Sequence, residues 1–355
     1  MNEIVNRELQ INIHPNDHKH FEPLLRHQLN VFGGQVDRVR LTLDLHNSES
    51  GRYRSEDFEG KLRHMRSIIR RVSKDFKFIT LDEVDTSEDV RKEIAQKFFC
   101  RDDVPIKAWD GGPFYSYLYG IWKCRARTII HIDSDMMFGG MSQSWIEQAE
   151  NILDADSNVI FVAPLAGPPH PDGLLKEGSL QNGIQVTPYI FPYSFVFSSV
   201  STRIFVTRPQ LINLRIGYLD FIRPSHMQRI KAFLLGNPSQ SREFEVVLSK
   251  TMQNRGLRRV DLLGVDKGMW SIHPPYRSDS FFSTLPSIIN KIEIGNIPVE
   301  QLGHYDLQDC MCDWTVPRKY NRRSARMCRQ TFRVIARAYS NLTLLVKSII
   351  NNDSN

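Results

Sequence analysis

The sequence has no run of apolar residues approaching the roughly 20 needed to span a bilayer, and its first residues form no apolar signal segment. Its five cysteines are scattered and odd in number, which is typical of a reducing compartment rather than of a disulfide-linked domain. No internal repeat or low-complexity tract is visible. These absences give no support to a membrane-spanning, disulfide-rich or repeat protein, and we expect a cytoplasmic globular one.

Glycine-rich phosphate loops are also missing from the start of the chain. No Gly-x-Gly-x-x-Gly follows the first predicted strand, 9–13, which argues against an NAD-binding Rossmann protein. The next four residues, His14-Pro15-Asn16-Asp17, contain no glycine. A nucleotidyltransferase would need a glycine-rich loop bearing Arg or Lys at this place, so that activity is kept only as an alternative.

Charge is unevenly distributed along the 355 residues. The net charge is +6, but the segment from Pro317 onward has nine basic residues and one acidic residue, a net +8, so the residues before it sum to −2. The body is therefore close to neutral, which argues against a nucleic-acid partner. A hydrophobic content of 41% suits one large globular domain or two smaller ones.

Predicted strands and helices alternate through most of the chain. The strands fall near 9–13, 36–45, 76–81, 128–132, 159–163, 258–263 and 270–273, and the helices near 21–30, 57–73, 87–99, 113–123, 145–153 and 243–254. This alternation predicts an α/β fold with a mostly parallel sheet flanked by helices. The stretch 164–192 is irregular and rich in Gly and Pro, and we expect substrate specificity to reside there and in the C-terminal region.

Two carboxylates directly follow the apolar strand 128–132. Asp133 and Asp135 stand two apart, so on an extended chain both side chains point to one side. They would repel each other unless a cation lay between them, and Mg²⁺ or Mn²⁺ with a diphosphate suits such ligands. An isolated Asp-x-Asp is more often a solvated turn or a helix cap. The buried strand before it favours the metal interpretation.

With its surroundings, this motif resembles the nucleotide-sugar glycosyltransferases of GT-A fold, and the layout is most similar to family two, the inverting class. The resemblance covers about residues 8–275. It implies a GT-A-like, Rossmann-type catalytic domain at 1–299, with a nucleotide-sugar half at about 1–137 and an acceptor half at about 138–299. It also implies a divalent metal, Mn or Mg, a UDP or GDP type of sugar donor, and a glycan or lipid-linked acceptor.

The resemblance places the nucleotide at the loops that end the first two strands. His14, Pro15 and Asn16 would hold the base, although their His-Pro-Asn-Asp loop differs from the usual Pro-x-x-Asn-type signature. Asp44, at the end of the second strand, would hydrogen-bond the base or the ribose.

A second group would line the nucleotide-sugar and the metal. Asp110, Gly111 and Gly112 match a glycine-containing helix start, where backbone can approach a ligand and anionic oxygens are favoured. By the resemblance, Asp133 would contact the ribose or the metal, and Asp135 would bind the metal.

The resemblance gives the general base to Glu245, eleven residues before Gly256. Family members carry an acidic pair here, and Phe244 replaces its first member. As a base, Glu245 would take the proton of an acceptor hydroxyl as that oxygen attacks the anomeric carbon. The alternative is a glutamate that merely favours the helix dipole, and we prefer that alternative for Glu243.

His273 ends the last predicted strand and, by the same resemblance, would complete the metal site. A lone histidine is more often structural, so this assignment depends on its order after Asp135 and Glu245. The implied reaction is direct displacement with inversion. A catalytically inactive carbohydrate-binding or scaffold protein remains the alternative from another class.

The C-terminal extension, 300–355, is predicted to contain a helix at 324–350 with an apolar stripe beside its arginines. This helix could make a peripheral contact with an anionic membrane at its inner face, fold over the active site with an arginine at the diphosphate, or pack on the body. The sequence leaves these three arrangements open.

Overall fold

The computed structural model describes residues 5–48, 55–76, 78–173, 175, 187–188 and 194–352. The strands are β1 (Arg7–Ile13), β2 (Arg38–Leu43), β3 (Ile79–Glu83), β4 (Thr128–Asp133), β5 (Met137–Gly139), β6 (Val159–Ala166), β7 (Thr187–Pro188), β8 (Ser194–Phe197), β9 (Ile204–Thr207), β10 (Arg258–Leu262) and β11 (Trp270–Ile272). The helices are α1 (Phe21–Phe32), α2 (Phe58–Asp75), α3 (Glu88–Phe99), α4 (Tyr115–Lys123), α5 (Trp145–Ala155), α6 (Pro209–Leu211), α7 (His226–Leu235), α8 (Phe244–Asn254), α9 (Asp279–Glu293), α10 (Thr315–Tyr320) and α11 (Arg323–Asn352).

The strands form a mixed sheet in the order β3-β2-β1-β4-β9-β6-β10-β8-β7, with β11 joining β6 and β5 joining β11. Among the described strands, β5, β8 and β9 run against the other eight. The predicted α/β fold with a mostly parallel, helix-flanked sheet is thus confirmed. Apolar strands such as β4 are buried because helices cover the sheet.

Several elements differ from the sequence-based expectation. The third strand begins at Ile79 rather than at residue 76, and α4 begins at Tyr115 because Pro113 forms a β-bridge with Lys107. Sequence patterns do not predict β9, α7 or α9. Most of the irregular stretch to which we assign specificity (174, 176–186 and 189–192) lies outside the described residues.

The end of the chain divides into two parts. Residues 302–314 return to the body, where Leu307 and Trp314 are buried with β11 and α9. Beyond them, α11 lies against α7. The predicted boundary at residue 299 stays a prediction.

Among the described helices, none combines the length and the apolar character that crossing a membrane requires.

Candidate active site

The loops that follow β1 and β4 meet at one edge of the sheet. The two strands are parallel neighbours with Asn12 opposite Asp133, so their carboxyl ends coincide. Asp17 Oδ2 accepts hydrogen bonds from the His14 backbone N–H at 2.9 Å and from Ser134 Oγ at 2.9 Å. This carboxylate fixes the loop after β1 to the Asp-x-Asp turn.

Asp133 ends β4, and its side chain is 19% exposed. The Tyr117 hydroxyl lies 3.1 Å from each of its carboxylate oxygens. Phe244, fully packed in the core, stacks on the Tyr117 ring with the centroids 5.6 Å apart. Phe244, which replaces the first acid of the expected pair, therefore supports the tyrosine that orients Asp133.

Asp135 is almost completely buried, at 1% exposure. Its Oδ2 accepts two hydrogen bonds from Arg277, one of them from Nε at 3.0 Å, and lies 3.3 Å from His273 Nε2. Although burial acts in the opposite direction, Arg277 and His273 hold the pKa of Asp135 well below its usual value. Asp135 Oδ1 has no hydrogen-bond partner among the described residues.

His273 lies directly after β11 and bridges two carboxylates. Its Nδ1 is 3.4 Å from Asp306 Oδ1, while Nε2 faces Asp135. The His273 ring stacks with Tyr305, and its backbone N–H donates to the Tyr305 carbonyl at 3.0 Å. A histidine whose second nitrogen meets a carboxylate is held in one orientation, as metal-ligating histidines commonly are.

These residues fit a divalent cation in part. In the described part of the chain, no three His, Cys, Asp or Glu side chains are grouped closely enough to hold a metal. Yet Asp135 has a buried carboxylate oxygen without a partner, and His273 stands beside it. A buried charged oxygen with an unused lone pair is costly unless a cation or donor meets it. The donor set of carboxylate and imidazole suits Mn²⁺, with remaining positions open to phosphate oxygens.

The predicted base-binding residues are close together but partly engaged with the protein. Asp44 accepts a hydrogen bond from Lys107 Nζ at 2.6 Å and from the His46 backbone N–H at 2.9 Å. Burial alone would raise the pKa of Asp44, but Lys107 holds it below its usual value. The Asn16 backbone N–H donates to His14 Nδ1, whereas His14 Nε2 faces the His46 carbonyl at 3.3 Å.

The glycine-containing turn precedes α4 instead of starting it. Asp110 Oδ1 accepts from the Gly112 backbone N–H at 2.9 Å, and the Gly111 carbonyl accepts from Ser48 Oγ at 2.9 Å. Gly111 has a φ of +84°, a conformation that a residue with a Cβ rarely adopts. The turn thus touches the loop after β2, and its role in binding the nucleotide-sugar stays a prediction.

Glu245 lies in the first turn of α8, and its Oε2 accepts a hydrogen bond from the Thr202 backbone N–H at 3.3 Å. Glu245 also lines a cavity of about 260 Å³ together with Arg203, Tyr305 and Asp306. Burial would lower the pKa of Arg203, but Tyr305 and then the nearby carboxylates Asp135, Glu245 and Asp133 raise it above its ordinary value. The positive charge of Arg203 therefore interacts both with the predicted base and with the carboxylates of the Asp-x-Asp turn.

The far wall of this cavity carries the buried ion pair Arg259–Asp261, whose Nε and Oδ1 atoms are 2.7 Å apart. Asp261 is only 2% exposed. Burial raises the pKa of Asp261 to about 6, although Arg259 acts in the opposite direction. The cavity therefore offers both a guanidinium and a carboxyl group to a polar ligand.

This raised pKa predicts a pH-dependent contribution to stability. The folded protein holds the Asp261 proton up to about pH 6, whereas the unfolded chain releases it near 3.8. The contribution is full below the unfolded value and is lost as the pH rises through 6, by an amount on the order of 2–3 kcal/mol. Urea unfolding between pH 4.5 and 7 should show wild type losing stability relative to Asp261→Asn. Parallel pH profiles would contradict the assignment.

Sequence reasoning overlooks several residues of the site. Arg277 follows His273 by four positions and could have been suspected from its charge. Arg203, Tyr117 and Asp306 give no local signal, because they reach the site only through the tertiary fold.

Searches of protein families and of curated proteins found no match. Among solved structures, GalNAc-T7 with UDP, GalNAc and Mn²⁺ is similar at a TM-score of 0.43 and 10% identity, covering 78% of this chain and 44% of that one. The mannosyltransferase PcManGT from Pyrobaculum calidifontis, in complex with GDP-Man and Mn²⁺, has a TM-score of 0.38 and 12% identity, covering 83% and 64%. S. aureus TarS 1-349 has a TM-score of 0.37 and 10% identity, covering 83% and 67%.

The chain thus spans less than half of the first structure and just under two thirds of the second. At these scores the similarities support no conclusion about activity, and membership of family two stays a prediction. The structural neighbours of this chain are glycosyltransferases of the GT-A fold.

Proposed function

We propose that this protein is a metal-dependent glycosyltransferase that moves a sugar from a nucleoside-diphosphate sugar to an acceptor hydroxyl, with inversion. One observation carries the proposal. Asp135, a buried carboxylate with an unused oxygen, stands beside His273. The His273 ring in turn contacts Asp306, which lines the cavity that also contains Glu245. Direct displacement requires a metal near a general base, and this chain of contacts supports the proposal.

Asp135 and His273 would hold the metal. Asp133 would assist from the same turn as Asp135. When bound, the metal supplies Lewis-acid neutralisation of the leaving diphosphate. Tyr117 fixes the Asp133 carboxylate, and Asp306 fixes the His273 ring. These residues set the geometry before the donor arrives, which lowers the cost of reorganisation during reaction.

Glu245 would take the proton from the acceptor hydroxyl. The acceptor oxygen then forms its bond to the anomeric carbon, while the bond from that carbon to the diphosphate oxygen breaks and the nucleoside diphosphate leaves. Arg203 lies near both Glu245 and the Asp-x-Asp carboxylates. Its permanent positive charge would stabilise the developing negative charge on the leaving group.

The loops after β1 and β2 would hold the nucleotide, of UDP or GDP type. His14 Nε2 lies 3.3 Å from the His46 carbonyl in the loop after β2, and Ser48 of the same loop donates a hydrogen bond to the Gly111 carbonyl. In the described structure Asp44 pairs with Lys107, so a ribose or base would hydrogen-bond an Asp44–Lys107 pair rather than a free carboxylate.

The cavity of about 260 Å³ beside Glu245 would receive the acceptor sugar. Its buried polar wall, Arg259 and Asp261, can both accept and donate hydrogen bonds to hydroxyl groups. A glycan or a lipid-linked sugar would satisfy this chemistry equally. A cytoplasmic location stays a prediction.

The test is calorimetric titration of the purified chain with UDP and with GDP, first with Mn²⁺ and then with EDTA. Binding of one nucleotide that requires Mn²⁺ would support the proposal and name the base of the donor. Proton NMR of donor turnover would then report the anomeric configuration of the product. Failure of both nucleotides to bind under every condition would overturn the proposal in favour of the scaffold alternative.

The inactive carbohydrate-binding alternative shares the polar cavity but needs no cation. Arg277 favours it, because this guanidinium already neutralises Asp135. A turnover assay distinguishes the transferase from the binding protein, because a binding protein would bind sugars without releasing nucleoside diphosphate from any donor. A nucleotidyltransferase would instead release pyrophosphate from a nucleoside triphosphate.

Arg277 gives a separate prediction. Its guanidinium occupies Asp135 Oδ2 and would repel a divalent cation, so Arg277→Gln is expected to tighten Mn²⁺ binding in the absence of nucleotide by about tenfold. Calorimetric titration with MnCl₂ measures this directly. Arg318→Gln removes an exposed arginine paired with Asp309 and should leave Mn²⁺ affinity unchanged. Weaker binding by Arg277→Gln would show that Arg277 supports the metal site instead of competing with it.

A further inference from the structure

Helix α11 is amphipathic, but its polar side faces the protein. The half-buried positions on the side toward the body include Arg329, Arg333 and Arg337, which recur every four residues. Arg329 lies over the Tyr320 ring of α10 at 3.7 Å, and the Arg337 guanidinium lies against Gly236 at the end of α7. The side turned to the body therefore carries three arginines beside the half-buried Ala325 and Val334.

The apolar side of α11 faces away from the protein. It consists of side chains that are between 57% and 73% exposed: Met327, Phe332, Ile335 and Tyr339. In a helix on the surface of a globular domain the apolar stripe normally faces the core. This arrangement is the reverse, so the exposed stripe has no partner in the described part of the chain.

Helix α7, which packs beside α11, repeats the pattern. Its Ala232 and Leu235 are buried, while its other apolar side chains are between 44% and 78% exposed: Met227, Ile230, Phe233 and Leu234. We call the exposed apolar side chains of these two neighbouring helices, the four of α7 and the four of α11, the α7–α11 surface. Exposed apolar side chains grouped in this way are typical of an interaction site.

The charge of the α7–α11 surface is of one sign. Arg229 and Lys231 are exposed on α7, and Arg322, Arg323 and Arg326 are exposed at the start of α11. Neither 223–235 nor 322–352 contains an acidic residue. A second copy of the chain would bring like charges together, which disfavours a dimer through this surface. A negatively charged, apolar partner meets both requirements.

We infer that the α7–α11 surface docks on an anionic phospholipid bilayer, with the apolar side chains entering the headgroup region and the flanking arginines at the phosphates. An amphipathic helix in this orientation lies in the plane of the interface. Clustered Lys and Arg side chains strengthen such binding through the negative surface potential. The inference does not rest on the proposed function, because it uses none of the residues assigned to the donor, the metal or the base.

Sedimentation of the full chain with vesicles tests the inference. We expect binding to vesicles of phosphatidylcholine mixed with phosphatidylglycerol and at least about tenfold weaker binding to phosphatidylcholine alone. The triple variant Phe233→Ser/Phe332→Ser/Ile335→Ser should weaken binding by at least about tenfold. The control Ile294→Ser/Val299→Ser changes equally exposed apolar residues outside the two helices and should bind as wild type.

A second pair of variants tests the charges. Arg322→Gln/Arg326→Gln should weaken binding by about tenfold and lower its sensitivity to salt. Arg63→Gln/Arg70→Gln removes two exposed arginines of the basic helix α2 and should leave binding unchanged. Equal binding to both vesicle types, loss of binding in the α2 variant, or unchanged binding in the triple variant would overturn the inference. A concentration-dependent dimer lost in the triple variant would instead assign the surface to a second copy.

Discussion

Replacing Asp135 by asparagine should abolish metal-dependent binding of UDP or GDP and reduce glycosyl transfer by at least about a thousandfold. Asparagine keeps the size of the side chain but removes the charge that His273 and Arg277 surround. The unused Oδ1 is the oxygen that a cation would take, and a neutral amide oxygen is a poorer ligand for a hard cation. Calorimetry with Mn²⁺ and nucleotide, together with a turnover assay, measures both effects.

The control for this variant is Asp279→Asn. Asp279 is 92% exposed and pairs only with the exposed Lys19 among the described residues, so the same chemical change there should alter neither binding nor turnover. Melting curves separate a metal effect from unfolding. Since the Arg277 side chain is 43% exposed, it can turn to water when Asp135 loses its charge, and we expect the fold to persist. Unchanged nucleotide binding in a folded Asp135→Asn would refute the metal site.

Replacing Glu245 by glutamine should reduce turnover by about 10²–10⁴-fold while leaving nucleotide affinity within about twofold of wild type. Glutamine preserves the hydrogen bond from the Thr202 backbone N–H but takes up no proton. A base acts on the acceptor only, so donor binding measured by calorimetry should not change. The loss should appear in kcat more than in the KM of the donor.

Glu243→Gln is the matched comparison, two residues earlier on the same helix start. Glu243 is the N-cap residue of α8 and pairs with Arg242, outside the cavity that Glu245 lines. We expect this variant to keep most of its activity and to lose at most about 1 kcal/mol of stability, as for a surface pair. Equal losses of turnover in the two variants would assign Glu245 a structural role at the helix start.

Much of the arrangement could be predicted from local patterns. The strand before Asp133 is visible because consecutive β-branched residues fit a strand buried on both faces. The placement of Asp44 and of Asp133 at one edge of the sheet follows from the parallel pairing of β1 with β2 and β4. At Phe244 the pattern misleads. The sequence indicates only that the first acid of a pair is missing, whereas the structure shows the ring stacked on Tyr117, which contacts Asp133.

Other features depend on contacts between distant segments. Arg277 lies 142 residues from Asp135, and Asp306 lies 33 residues from His273. No periodicity or propensity connects such pairs, because their proximity arises from the pairing of β11 with β5 and from the return of residues 302–314 to the body. The cavity beside Glu245 is likewise built from separate strands and loops.

The sequence by itself determined the α/β sheet, the Asp-x-Asp turn at its carboxyl edge, and the amphipathic character of the last helix. These follow from the order of apolar and polar residues, which acts locally through strand and helix periods. Only the tertiary structure decided that Arg277 contacts Asp135. It also decided that the half-buried arginines of α11 lie toward the body while its apolar side faces outward. Periodicity defines the two sides of a helix, but the surface against which it packs decides which side meets the solvent.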